Sequence, residues 1–190
     1  MSETVLANRN LTNNALADRV QDGSPVQTLI LGVGNLLMAD EGVGVHVIQR
    51  LVAGYQLPEE VQVLDGGTLG MDLLYYLEGV ENLLLIDAVQ AHKKPGTLVR
   101  LEGDEVPAFM SIKISPHQLG VPDMLAAAKL KGNCYPQRIV LWGIQPELME
   151  IGLDLSPTVE SQMASIVENV LEQLQAWGHT LIPKVTVPSR

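Results

Sequence analysis

Residues 26–44 read VQTLILGVGNLLMADEGVG, and this stretch decides the fold. The apolar run 26–31 predicts a short strand that is buried on both faces. A glycine-rich loop at 32–35 then leads into a helical pattern over about 42–53, where apolar residues return on one face. A buried strand, a glycine loop and an amphipathic helix together predict an α/β domain with a parallel sheet.

The alternation of strands and helices continues along the chain. Further strands are predicted at 61–64, 83–86, 97–101 and 138–144, the run at 97–101 as an antiparallel or edge strand. Further helices are predicted through 71–77, after 115–117 as far as about 131, and over 156–178, with Ser156 as N-cap. We expect one α/β domain at 26–190, with a mainly parallel twisted sheet and helices on both faces. Residues 1–25 are predicted to be a flexible N-terminal leader.

Composition narrows the classes of function. The chain has 190 residues, enough for one domain with a full-sized core, and 46% of them are hydrophobic. Its net charge of -10 argues against nucleic acid or an anionic membrane as partner, because both attract basic surfaces. The sequence contains neither a secretory signal nor an apolar run of membrane-spanning length. A cytoplasmic protein is therefore expected.

Three of the predicted strands run directly into acidic residues. The first leads to Asp40 and Glu41, the second reaches Asp65, and the third reaches Asp87. Open α/β sheets bind ligands at the carboxyl ends of their strands, so we expect these acids to lie along one edge. His117 adds an imidazole, and two carboxylates with one imidazole suit a borderline divalent metal such as nickel or zinc.

Each of these residues also has a purely structural interpretation. Asp40 can cap the following helix, and Glu41 can be a first-turn acid favoured by the helix dipole. Asp65 precedes two glycines, which is typical of an Asx-turn, and Asp87 can simply end a strand. His117 can form a hydrogen bond with the backbone near the start of a helix. Taken singly, each residue is better explained by structure; their convergence on one sheet edge favours a site.

The glycine loop allows a second class of function. Gly32 and Gly34 match the first two glycines of a dinucleotide fingerprint, but Leu37 stands where the third is required. Asp65 could serve as the acidic ribose partner, although it lies beyond the usual interval. A nucleotide-binding module is therefore an alternative with weak support.

The other histidines and the cysteine are not expected to belong to a site. His46, His92 and His179 fall on a helix face, in a loop and at a helix end, and are predicted to be surface residues. Cys134 is the only cysteine, lies in a turn-like stretch and is interpreted as incidental.

Four motifs in order resemble one known family. The run 32–44 is similar to the opening signature of the nickel-iron hydrogenase maturation endopeptidases, which process the hydrogenase large subunit. The segments 65–68, 86–88 and 115–120 resemble the later signatures of that family. The resemblance extends over about 27–184, and its four ordered motifs are far more specific than the glycine loop alone.

The resemblance implies a metal-dependent endopeptidase with aspartyl-type chemistry. It implies that Glu41, Asp87 and His117 form a catalytic triad that binds nickel, and that Asp65 handles the substrate. The nickel is carried by the partner, the precursor of the large subunit, whose C-terminal extension is removed; zinc or cadmium could replace it in a crystal. The sequence agrees in lacking a Gly-x-Ser-x-Gly nucleophile motif and a His-Glu-x-x-His helix. A non-catalytic nickel-binding chaperone that uses the same triad is the main alternative.

Overall fold

The computed structural model describes residues 26–67, 70–111, 120–132 and 134–184. The strands are β1 (Thr28–Val33), β2 (Tyr55–Gln56), β3 (Val61–Gly67), β4 (Asn82–Ala88), β5 (Leu98–Glu102), β6 (Arg138–Ile144) and β7 (Ile182–Pro183). The α-helices are α1 (Val43–Gly54), α2 (Glu105–Ser111), α3 (Gly120–Lys131), α4 (Pro157–Glu160) and α5 (Met163–Ala176). Two 3-10 helices span Ala39–Gly42 and Gly70–Leu77. The expected leader at 1–25 and His117 lie outside the described residues.

The main sheet has five strands in the order β3-β1-β4-β6-β5. Strand β1 pairs in parallel with β3 and β4, and β4 pairs in parallel with β6. Strand β5 is antiparallel to β6 at one edge, and β2 and β7 form a separate two-stranded antiparallel sheet. The mainly parallel α/β sheet predicted from the sequence is confirmed, including the antiparallel edge strand.

Helices cover both faces of the sheet, as expected. Alternate residues of β1 point to opposite faces: Leu29 and Leu31 belong to one buried cluster and Ile30 to the other. The first cluster includes apolar residues of α2 and α3, and the second includes those of α1 and α5. Because each face is buried, the central strands are apolar throughout, and β4 is buried at every position.

Local features beyond the prediction include a helix break, an additional helix and a buried cysteine. The C-terminal helix is interrupted at 161–162, where the Ser161 hydroxyl donates to the Thr158 carbonyl oxygen at 2.7 Å and competes with the helical pattern. Helix α2 has no counterpart among the predicted helices; Pro107 lies in its first turn, a position that a helix tolerates. Cys134 is buried against the first apolar cluster, so it is a core residue.

No helix in the described part of the chain is both long enough and apolar enough to cross a bilayer.

Candidate functional site

Glycines bring the loop after β1 back against the sheet. Gly34 has a φ of 127°, and a β-carbon there would lie 1.8 Å from the carbonyl oxygen of Glu41. A β-carbon on Gly44 would lie 2.2 Å from the carbonyl oxygen of Ile86 in β4. Because neither glycine has a side chain, Glu41 can lie against the end of β1 and the start of α1 can lie against β4.

The strand register places two more acids at the same edge. Gly32, near the end of β1, pairs with Asp65 of β3 on one side and with Ile86 of β4 on the other. Asp87 therefore follows directly at the end of β4, so Asp65 and Asp87 flank the end of β1. Asp87 is fully buried, Glu41 is 3% exposed and Asp65 is half-buried. The edge of the sheet formed by the carboxyl ends of the strands thus carries three acidic residues in or near the protein interior.

The site is only partly described. His117 lies outside the described residues, so its position relative to Glu41 and Asp87 stays a prediction. Among the residues that the structure describes, no group of three or more histidine, cysteine, aspartate or glutamate side chains could hold a metal ion by itself. A metal held by Glu41 and Asp87 would therefore need a ligand from elsewhere, which is the part assigned to His117 or to a bound substrate.

Asp40 has a structural role different from the one expected. Helix α1 begins without a side-chain cap, so Asp40 does not cap it. Its fully buried carboxylate instead accepts hydrogen bonds from the backbone N–H groups of Glu147, Leu148 and Ser156, at 2.7–2.8 Å. The Ser156 hydroxyl donates a fourth hydrogen bond at 2.9 Å. Because Asp40 directly precedes Glu41, these hydrogen bonds connect the loop after β6 to the segment that carries Glu41.

Backbone contacts join the same two loops. Ala39 donates to the carbonyl oxygen of Gly152 at 2.9 Å, and Gly152 donates to that of Leu37 at 3.0 Å. Ala39 holds a left-handed φ of 48°, a conformation that costs a non-glycine residue of the order of 1 kcal/mol. The two backbone hydrogen bonds of Gly152 offset this strain. The left-handed conformation turns the chain so that Asp40 and Glu41 both point inward.

Of the three histidines predicted to be at the surface, one is exposed, one is half-buried and one is buried. His92 is exposed, as expected. His179 is 7% exposed, and its Nε2 atom lies 2.8 Å from the Thr28 hydroxyl, a contact between residues distant in sequence. His46 is half-buried on α1, and its Nε2 has no hydrogen-bond partner among the described residues. Burial, and secondarily the positive charge of Arg50, lower the pKa of His46, although Glu160 and Asp154 oppose the shift.

The glycine loop does not favour a nucleotide site. A dinucleotide fingerprint needs its second glycine so that pyrophosphate can approach the backbone. Here the space beside Gly34 is filled by the carbonyl of Glu41, and a β-carbon on Gly32 would lie 2.4 Å from the carbonyl oxygen of Gly44. The missing side chains of Gly32 and Gly34 therefore make room for the backbone of the chain itself.

The chain matches the family model described as hydrogenase maturation protease over residues 45–173. It is 41% identical to the hydrogenase 2 maturation protease of Escherichia coli over 163 residues, covering 85% of this chain and 99% of that protein. It is 44% identical to the hydrogenase expression/formation protein HupD of Rhodobacter capsulatus, covering 86% and 78%.

Solved structures are similar as well. The hydrogenase maturating endopeptidase HybD from E. coli superposes with a TM-score of 0.80 at 42% identity, over 83% of this chain and 98% of that one. The [NiFe] hydrogenase maturation protease HybD from Thermococcus kodakarensis gives a TM-score of 0.65 at 30% identity, over 78% and 98%.

Proposed function

This chain belongs to the hydrogenase maturation protease family, and we propose that it is the endopeptidase that removes the C-terminal extension of a nickel-loaded large-subunit precursor. The precursor is that of a nickel-iron hydrogenase, and processing takes place in the cytoplasm. The proposal is supported by membership of this family together with two buried acids, Asp87 near the carboxyl end of β4 and Glu41 beside Gly34 at the end of β1.

Nickel enters the site as part of the substrate. Glu41 and Asp87 would ligate it through carboxylate oxygens, and His117 would supply the nitrogen ligand. Carboxylates in the interior attract a divalent cation more strongly than carboxylates in water, because the effective dielectric constant is lower. With two carboxylates and one imidazole, the free enzyme is expected to bind nickel only modestly, so recognition depends on nickel already held by the precursor.

Asp65 is assigned to the polypeptide of the substrate. It lies at the end of β3, on the other side of β1 from Asp87, and it is half-buried. A carboxylate at that place can accept hydrogen bonds from backbone N–H groups of a chain laid across the sheet edge. Asp65 would thus orient the segment around the scissile bond.

The reaction is hydrolysis of one peptide bond. A water oxygen adds to the scissile carbonyl carbon, the carbon–nitrogen bond breaks, and a proton is transferred to the leaving amine. Nickel close to the bond would polarise the carbonyl oxygen, and a carboxylate of the Glu41–Asp87 pair would accept the proton from water.

The test is incubation of the full chain with nickel-loaded and with nickel-free precursor, followed by mass spectrometry. We expect one shortened product from the loaded precursor alone. Equal cleavage of the nickel-free precursor would contradict nickel recognition. Binding of the loaded precursor without a shortened product would instead support the non-catalytic chaperone.

A further inference from the structure

Five exposed apolar side chains form a patch on the two loops joined by Asp40. We call this the loop patch; its members are Leu37, Leu148, Met149, Ile151 and Leu153. Ile151 is 90% exposed and Leu153 is 67% exposed, so neither side chain contributes to the core. Backbone hydrogen bonds of Gly152 with Leu37 and Ala39 hold the two loops side by side. Several exposed apolar residues on adjoining loops are unusual on a protein without a partner and indicate a binding surface.

The loop patch is continuous with the proposed site. Leu37 precedes Glu41 by four residues, and the backbone of Leu148 exchanges hydrogen bonds with Asp40. Leu148 donates to the Asp40 carboxylate at 2.8 Å, and its carbonyl oxygen accepts from the Asp40 N–H at 3.2 Å. The patch and Glu41 therefore stand on one hydrogen-bonded support.

Acidic side chains are interspersed among the apolar ones. Glu147, Glu150 and Asp154 are exposed on the same loop. The stretch 145–156 contains no lysine or arginine, so the loop itself carries a net negative charge. The patch is therefore complementary to an apolar segment that carries basic side chains.

We propose that the loop patch binds the precursor polypeptide next to the scissile bond, through an apolar segment bearing lysine or arginine. The proposal rests on the proposed function. A chain bound for cleavage advances about 3.3–3.6 Å per residue when extended, so a few residues beyond the bond must cross the neighbouring surface. A second copy of this chain fits less well, since each carries a net charge of -10 and would bring the same carboxylates together.

The experiment compares KM and kcat for nickel-loaded precursor between the wild-type chain and the double variant Ile151→Ser/Leu153→Ser. We expect KM to rise about tenfold with kcat nearly unchanged, because the lost contacts bind substrate and transition state equally. The matched control is Leu130→Ser/Ile182→Ser, which alters side chains that are 90% and 59% exposed on α3 and β7. The control should leave both constants unchanged.

Two further variants probe the same surface independently. Leu37→Ser, on the other loop, should also raise KM. Glu150→Gln/Asp154→Asn should raise KM at low salt and weaken its dependence on salt, because the ionic attraction is reduced. Thermal unfolding checks that every variant is folded.

The outcomes separate the two proposals. No cleavage by the wild-type chain would overturn both the proposed function and the docking surface. Normal cleavage with an unchanged KM in the Ile151→Ser/Leu153→Ser variant would overturn the docking surface alone. A wild-type dimer that this variant converts to monomers in sedimentation would also overturn it, since the patch would then join two copies.

Discussion

Replacing Asp40 with alanine should destabilise the chain and impair the site together. The substitution removes the acceptor of four hydrogen bonds that join the loop after β6 to the segment before α1. It does not alter Glu41, the neighbouring residue assigned to catalysis. The variant therefore tests whether the Asp40 carboxylate maintains the geometry of the sheet edge.

The size of the stability loss in Asp40→Ala depends on how deeply the four hydrogen-bond donors are buried. A buried donor left without its acceptor costs about 1–3 kcal/mol. The N–H groups of Glu147 and Leu148 belong to exposed residues, where water can replace part of the lost bond. The N–H and hydroxyl of Ser156 are buried and cannot be compensated in that way. With two buried donors at about 1–3 kcal/mol each, we expect a loss of about 2–6 kcal/mol in the free energy of unfolding, a large share of the roughly 5–15 kcal/mol typical of a domain.

Urea unfolding measures the free energy of unfolding directly. Single-turnover cleavage of precursor by the folded variant measures the activity of the site. We expect kcat/KM to fall at least about tenfold, since small displacements of catalytic groups are costly. The matched control is Asp104→Ala, whose side chain is 95% exposed and which should change stability by no more than about 0.5 kcal/mol. If Asp40→Ala lost less than about 1 kcal/mol and cleaved normally, the assigned role of Asp40 would be wrong.

Three other predictions concern the stability of the fold. His179→Ala should cost about 1–3 kcal/mol in urea unfolding, because a buried hydrogen-bond partner is lost, whereas the exposed His92→Ala should be neutral. Stability should decrease as pH falls below about 6.5, because the lowered pKa of His46 lets the unfolded chain bind more protons; a flat pH profile would contradict this. Gly44→Ala should prevent stable folding, seen by circular dichroism, because its β-carbon would lie 2.2 Å from the Ile86 carbonyl oxygen.

Much of the fold was predictable because the signals are local. Strand β6 was predicted at 138–144 and is observed as Arg138–Ile144, since a strand buried on both faces appears as a continuous apolar run. Ser156 was predicted as an N-cap, and its hydroxyl accepts from the N–H of Val159 at 3.2 Å. The placement of Asp65 and Asp87 at one edge followed from the rule that parallel strands share their direction.

The features that escaped prediction depend on contacts between distant segments. Asp40 precedes a helix and carries the local signal of a cap, but its partners lie 107–116 residues away. His179 stands at a helix end, where exposure is the ordinary expectation, and it is buried by its contact with Thr28, 151 residues away. Periodicity within one segment carries no information on such pairs.

The central claim is that Glu41, Asp87 and His117 act together on precursor-bound nickel. The most direct measurement is the single-turnover cleavage rate of nickel-loaded precursor by Glu41→Gln, Asp87→Asn and His117→Ala, with circular dichroism to establish folding. Each variant should lose at least about 100-fold in rate, because the metal would be misplaced relative to the scissile bond, while the exposed His92→Ala should cleave normally. A folded His117→Ala chain that cleaves at the wild-type rate would contradict the account.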